Sequence, residues 1–175
     1  EVAEYASRVS YDSIPADVIK RAKEALIDGL GVMLAGCGSE SGDVMGRYMH
    51  DLGVSGKSSV IGKGMMLPAQ FAALANGTAG HALDYDDTQI SSVPDRVYGL
   101  LTHPTVPVLA ASLAVAEEVG AGGKDLVTAF CAGVEVACKV AEAINPQLYK
   151  EWASLAQLRL PRGFRACRRR MLATP

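Results

Sequence analysis

Residues 68–83 read PAQFAALANGTAGHAL, and the fold class turns on the Asn76-Gly77 pair near their centre. Asn-Gly between apolar runs is a strong hairpin signal. Here, however, Phe71, Ala72, Leu74, Ala75, Ala79 and Leu83 fall at helical spacing on both sides of the pair, a period that an alternating strand does not have. The segment therefore reads as one helix opened by Pro68 and continuing to Leu83, with Gly77 and Gly80 serving close packing.

Working outward, the same period recurs along most of the chain. Residues 1–10 read as the end of a short helix, with Val2, Tyr5, Ala6 and Val9 on one side. Asp12-Ser13-Ile14-Pro15 then opens a long helix from Ala16 to Ala35, whose apolar face carries Val18, Ile19, Ala22, Ala25, Leu26, Leu30, Met33 and Leu34. Gly29 and Gly31 inside it each cost about 1 kcal/mol against Ala, which predicts that another helix approaches closely there. A shorter helix is expected over 39–50, with Val44, Met45, Tyr48 and Met49 inward and His50 at its exposed end. Between Gly53 and Gly64, Val60-Ile61 suits one strand of a small hairpin; the glycines and lysines there lack the spacing of a phosphate loop. Two further helices are expected. One, Pro104–Val119, is apolar nearly all round and so buried on most sides; the other runs from about Lys124 to Ile144 and ends at Asn145-Pro146. Gln89–Leu101, with Pro94, reads as a polar flap. The chain is thus all-α, a helical bundle with at most a short β-hairpin near residues 57–64.

Its 175 residues suit a single domain. Hydrophobic residues make up 49% and aromatics only 6%, so the core must be built from small and aliphatic side chains, as in close-packed helices. Charge is unevenly spread: residues 1–150 hold 11 Lys+Arg against 18 Asp+Glu, a net of −7, whereas residues 151–175 hold six Arg and one Glu. The acidic body has no footprint for nucleic acid. Cys37, Cys131, Cys138 and Cys167 form no CxxC pair and no zinc-type spacing with the histidines; Cys131 and Cys138, seven apart, read as buried thiols. The N-terminal residues do not read as a signal peptide, and no apolar run reaches the ~18 residues of a membrane span. A reducing setting is expected, the cytoplasm or the mitochondrial matrix if the source is eukaryotic.

The chemistry concentrates in Ala75–Thr105, which carries two of the three histidines and three carboxylates within four residues. His81 and Asp84 are three apart at a helix end, so both can face one side. Thr102-His103-Pro104-Thr105 opens the next helix, with Pro104 as first helical residue and His103 as its cap. A helix N-terminus disfavours an imidazolium, so His103 is expected to be a neutral base able to take a proton from carbon. Asp84, at a helix C-terminus where a carboxylate is unfavourable, needs a compensating partner. Asp86, Asp87 and Thr88 read as capping or turn residues. His81, Asp84 and His103 also have the ligand types of a metal site, the rival chemistry.

Four stretches carry a resemblance: IPADVIKRAKEALIDGLGVMLAG, NGTAGHALDYDDT, THPTVPVLAASLAVAE and GVEVACKVAEAINPQLY. In this order and at these distances, from about Tyr5 to Lys150, they resemble the MmgE/PrpD family, which includes 2-methylcitrate dehydratase, cis-aconitate decarboxylase and iminodisuccinate epimerase. The resemblance implies part of that family's large helical domain, and lyase or isomerase chemistry on a small di- or tricarboxylate without cofactor or metal. His103 and Asp84 match its catalytic positions, with His81, Thr102 and Thr105 expected to touch substrate. It also implies a homodimer in the full-length form. Positive groups for the carboxylates are scarce, with only Lys57, Lys63 and Arg96 placed near the site.

After Lys150 the pattern stops. Family members continue with a Gly/Ala-rich helical region carrying another active-site histidine, then lysines and a smaller α/β lid. Residues 151–175 read EWASLAQLRLPRGFRACRRRMLATP instead, a composition that points to out-of-frame translation, or otherwise to an Arg-rich tail for an anionic partner. The alternative function is thus a non-catalytic helical module binding a protein or polyanion. A partial helical domain is also expected to expose apolar surface.

Overall fold

The computed structural model describes residues 2–89 and 102–143, apart from the side chains of residues 142 and 143. Six α-helices and one β-hairpin account for most of it. They are α1 (Val2–Arg8), α2 (Ala16–Gly36), α3 (Glu40–Asp51), β1 (Ser58–Val60), β2 (Met65–Leu67), α4 (Ala69–His81), α5 (Thr105–Val119) and α6 (Gly123–Ala143). Helices α2, α4 and α5 each begin directly after a proline, Pro15, Pro68 and Pro104. Proline fits there because its missing N–H is one that a helix start leaves unbonded anyway. Ser39 opens α3 by accepting a hydrogen bond from the Gly42 N–H at 3.1 Å.

Helix α4 is the hub, packed against α2, α3 and α5. One core lies between α2, α5 and α6, around Leu26, Met33, Val106, Leu109 and Phe130; a second joins α3, the hairpin, α4 and α5 around Met49, Val60, Leu67, Ala72 and Ala114. Glycines bring the helix axes together. A Cβ on Gly36 would run into the Ala79 carbonyl of α4, and one on Gly80 would lie 2.6 Å from Val106 Cγ1 of α5. Gly29 meets Leu109 in the same way, as its cost inside α2 predicted, but Gly31 faces open space.

Asn76-Gly77 does not turn the chain, and the reason is visible. Asn76 is 1% exposed. Its Oδ1 accepts from the Ile61 N–H and its Nδ2 donates to the Ser59 carbonyl, both at 2.9 Å. The side chain that would close a turn is spent on the backbone of the hairpin. The hairpin itself pairs Ser58 with Leu67 and Val60 with Met65, antiparallel, across a turn in which Gly62 and Gly64 take φ of +73° and +63°. Those glycines push the return strand to 65–67, beyond the 57–64 expected for the hairpin. Ser58 Oγ donates to the Ala114 carbonyl at 2.6 Å, and Ser59 donates through N and Oγ to the Glu117 carboxylate at 2.7 and 2.6 Å, which ties the hairpin to α5.

Several expectations about packing change, among them Val18, Leu30 and Leu34 of α2 and Val44 and Tyr48 of α3, expected inward but exposed. Helix α4 ends at His81 rather than Leu83, and Leu74 (48% exposed) and Leu83 face outward. Ala surrounds these leucines on a helix that is apolar nearly all round, so spacing alone left the buried face undetermined. Helix α5 is not buried on most sides, since Ala111, Val115 and Val119 line an exposed stripe. Apolar surface is also exposed on α2, at Ile27, Leu30 and Leu34. Among the described residues no helix is long and apolar enough to cross a membrane. Cys131 is half-buried and not disulfide-bonded, and burial pushes its thiol pKa up. Residues 90–101 of the expected Gln89–Leu101 flap, Arg96 among them, the end of the last helix at Asn145-Pro146, and the Arg-rich tail lie outside the described residues.

Candidate active site

The candidate site forms where the C-terminus of α4 meets the N-terminus of α5. Gly80 lets α4 approach Val106, which sets His81, the last residue of α4, beside His103, two residues ahead of α5. The two imidazoles meet edge to face, with ring centroids 4.7 Å apart and planes inclined by 63°.

The acidic run wraps around this pair. Asp84 adopts a left-handed backbone, φ +55°, at the exit from α4, a conformation open to Asp but costing roughly 1–2 kcal/mol for a residue with a side chain. Its carboxylate is 79% exposed and its Oδ1 stands 4.0 Å from His103 Nε2. That is beyond a hydrogen bond, and leaves the Nε2 edge of His103 facing the gap between the two groups. Asp86 turns the other way. Its side chain is 1% exposed, and His81 Nδ1 lies 2.9 and 3.1 Å from its two oxygens. An ionised carboxylate only accepts, so the imidazole Nδ1–H donates. The same Asp86 Oδ1 is 3.5 Å from His103 Nδ1, an ion-pair distance outside hydrogen-bond geometry, and that Nδ1 is buried with no hydrogen-bond partner.

Asp87 reaches across to α5. It accepts from the Thr105 N–H at 3.1 Å and from Thr105 Oγ1 at 2.8 Å, supplying from outside the helix the cap that His103 was expected to provide. The backbone adds a second tie, since the Gln89 N–H donates to the Thr102 carbonyl at 2.8 Å. Thr102 Oγ1 in turn donates to Gln89 Oε1 at 3.3 Å. Of the five residues singled out in the sequence, His81, Asp84 and His103 therefore come together around one point. Thr102 directly precedes His103 and its hydroxyl is bonded to Gln89, and Thr105 is buried with both its donors committed to Asp87. His50, by contrast, is an exposed histidine beside Asp51 at 3.4 Å.

Asp86 is the member that sequence reasoning assigned to a turn. Nothing in the sequence sets it apart from Asp87 beside it; the fold does so, by burying Asp86 against the two histidines. One donor atom from each of His81, Asp84, Asp86 and His103 lies within 4.8 Å of the others, a nitrogen–oxygen set of the kind divalent transition metals take. Binding there through Nδ1 of His81 would have to displace the hydrogen bond to Asp86. Of the cations expected nearby, Lys63 is paired with Asp43 of α3 at 2.7 Å.

The family model of the MmgE/PrpD N-terminal domain matches residues 1–160, running past the boundary read at Lys150. Among curated relatives, the cis-aconitate decarboxylases of Mus musculus and Homo sapiens are each 33% identical over 124 residues, 68% of this chain and 24% of their own length. The cis-aconitate decarboxylase of Aspergillus terreus is 28% identical across all of the chain and 36% of its own length. The chain thus spans about a quarter to a third of the relatives it matches.

Proposed function

We propose that this chain, which belongs to the MmgE/PrpD family, forms the N-terminal part of a lyase or isomerase acting on a small di- or tricarboxylate. Cis-aconitate decarboxylation is the first candidate reaction, because the relatives with that name span most of the chain; dehydration of a 2-methylcitrate-like acid is the next. The observation that carries the reading is the position of His103. Its Nε2 edge faces Asp84 across a 4.0 Å gap, while its other edge turns toward buried Asp86.

In dehydration, His103 Nε2 takes a proton from the carbon next to a carboxylate, and an acid delivers a proton to the departing hydroxide. In decarboxylation the C–C bond breaks, carbon dioxide leaves, and the electron pair left on carbon takes a proton from an acid group of the site. Positioned acid–base groups of this type contribute about 10²–10⁴-fold each. Asp84 is the second catalytic group, and its strained backbone supports this role, since left-handed non-glycine residues concentrate at functional sites. His81 and Thr102 are assigned to substrate contact. Thr105 acts indirectly, by holding Asp87.

The reading needs no metal and no cofactor. It does need cations for the substrate carboxylates, and these are assigned to parts of the full-length protein beyond the described residues, including a partner protomer if the full-length form is a homodimer. A non-catalytic binding module draws no support from the relatives, whose names are those of decarboxylases.

The test is turnover by the polypeptide of the complete reading frame, with cis-aconitate and 2-methylcitrate as substrates and release of carbon dioxide and of water followed separately. His103→Ala is expected to lower kcat by about 10²-fold or more, and chelation by EDTA to leave it unchanged. Exposed His50→Ala is the control. Turnover that survives His103→Ala sinks the assignment, and loss of turnover on chelation moves the metal reading ahead.

A further inference from the structure

We infer that Asp86 is the positioning residue of this site, holding the Nδ1 edges of His81 and His103 so that both Nε2 atoms face the reaction space. The inference rests on the acid–base reading of His103. It assigns Asp86 no proton transfer and no contact with substrate.

Burial makes the case. The Asp86 side chain is 1% exposed, and a carboxylate taken out of water is costly unless it is paired and hydrogen-bonded. The polar partners that the described residues place on it are the two imidazoles, His81 at 2.9 and 3.1 Å and His103 at 3.5 Å. A side chain there for packing or for turning the chain would need no charge. Among the described residues, the groups that this charge meets are the two rings.

Both rings present the same edge to it. Nδ1 of His81 and Nδ1 of His103 converge on one oxygen, Oδ1, while Nε2 of His103 is the atom that faces Asp84. An imidazole whose Nδ1–H is held by a carboxylate keeps its lone pair at Nε2, the state a base needs. For His81 that hydrogen bond is already made. For His103, whose buried Nδ1 has no hydrogen-bond partner, Asp86 Oδ1 is the carboxylate oxygen placed beside it, at 3.5 Å. When Nε2 of His103 takes a proton from substrate carbon, the ring becomes a cation with hydrogen on both nitrogens. Its Nδ1–H then points at Asp86, whose negative charge balances it. No proton passes to Asp86.

Tautomers test this without turnover. In the 175-residue chain with ¹⁵N-labelled histidine, long-range proton–nitrogen correlation at a pH where the rings are neutral distinguishes Nδ1–H from Nε2–H. His81 and His103 are expected as Nδ1–H in the parent. Asp86→Asn, whose amide can donate to Nδ1, is expected to move at least one of the two to Nε2–H, and Asp86→Glu to restore the parent pattern. Nε2–H at both rings in the parent overturns the proposal, whether or not the variants fold. So does an Asp86→Asn spectrum with both tautomers unchanged. The expected tautomers together with an inactive full-length protein would overturn the catalytic reading alone.

Discussion

Asp87→Ala isolates the contact that fixes the start of α5. The carboxylate accepts from the Thr105 N–H at 3.1 Å and from Thr105 Oγ1 at 2.8 Å, and Thr105 is buried. Losing a capping acceptor costs about 1 kcal/mol, within a range of roughly 0.5–2. Stranding a buried hydroxyl adds about 1–3 kcal/mol. The two losses share one carboxylate, so the sum should fall near 2–4 kcal/mol. At about 2–4 °C per kcal/mol for a chain of this size, Tm should drop by roughly 5–15 °C. Urea unfolding followed by far-ultraviolet circular dichroism gives the free energy. A double-mutant cycle with Thr105→Val separates the parts: once the hydroxyl is gone, Asp87→Ala should cost only about 1 kcal/mol, the cap alone. The reasoning is refuted if Asp87→Ala stays within about 0.5 kcal/mol of the parent, or if its cost is the same in both backgrounds.

Two shorter predictions concern carboxylates with opposite roles. Asp84→Gly removes the strain of a side chain at φ +55°, so stability should hold or rise by up to about 1 kcal/mol, while turnover by the full-length protein collapses; an equal loss of both in unfolding and kinetic assays would make Asp84 structural. The Lys63 ammonium hydrogen-bonded to Asp43 holds that carboxyl below its ordinary value. With a depressed folded value, the pair's stabilisation is present above the unfolded value and is lost as pH falls through the folded one. Lys63→Met should therefore return Asp43 to about its ordinary value by carboxyl-carbon NMR titration, with little change in stability at neutral pH because the pair is at the surface. An unmoved titration would rule Lys63 out as the cause.

The helices were legible because their signals are local. Pro15, Pro68 and Pro104 mark three helix starts, and three- and four-residue spacing survives even through Asn76-Gly77. What local signals could not settle is which face of an Ala-rich helix turns inward. On α4 the buried positions include Asn76 and Gly80, while Leu74 is exposed, the reverse of a ranking by hydrophobicity. Asn76 is inside because the hairpin brings two unpaired backbone groups to it, and nothing within the helix announces that. Gly80 is inside because Val106 occupies the space of its missing side chain. Both are decided by elements 15 or more residues away, so neither could be read from the helix itself.

The same division runs through the site. His103 and Asp84 stood out as candidates through their positions at helix ends and through the family resemblance, and the fold brings them to 4.0 Å of each other. Asp86 and Asp87 were not separable by composition, being adjacent and identical. The fold separates them by what each meets. Asp87 meets the N-terminus of α5, where free N–H groups favour a carboxylate, and it caps the helix. Asp86 lies past the C-terminus of α4, where the dipole opposes a carboxylate, and it is buried there. A charge placed against both the dipole and burial has to be offset by its neighbours, and among the described residues those neighbours are two imidazoles. The unfavourable location of Asp86, rather than any motif, ties it to the histidines. By the same argument Asp86→Leu, which removes the buried charge, should disturb stability less than it disturbs the tautomers of His81 and His103.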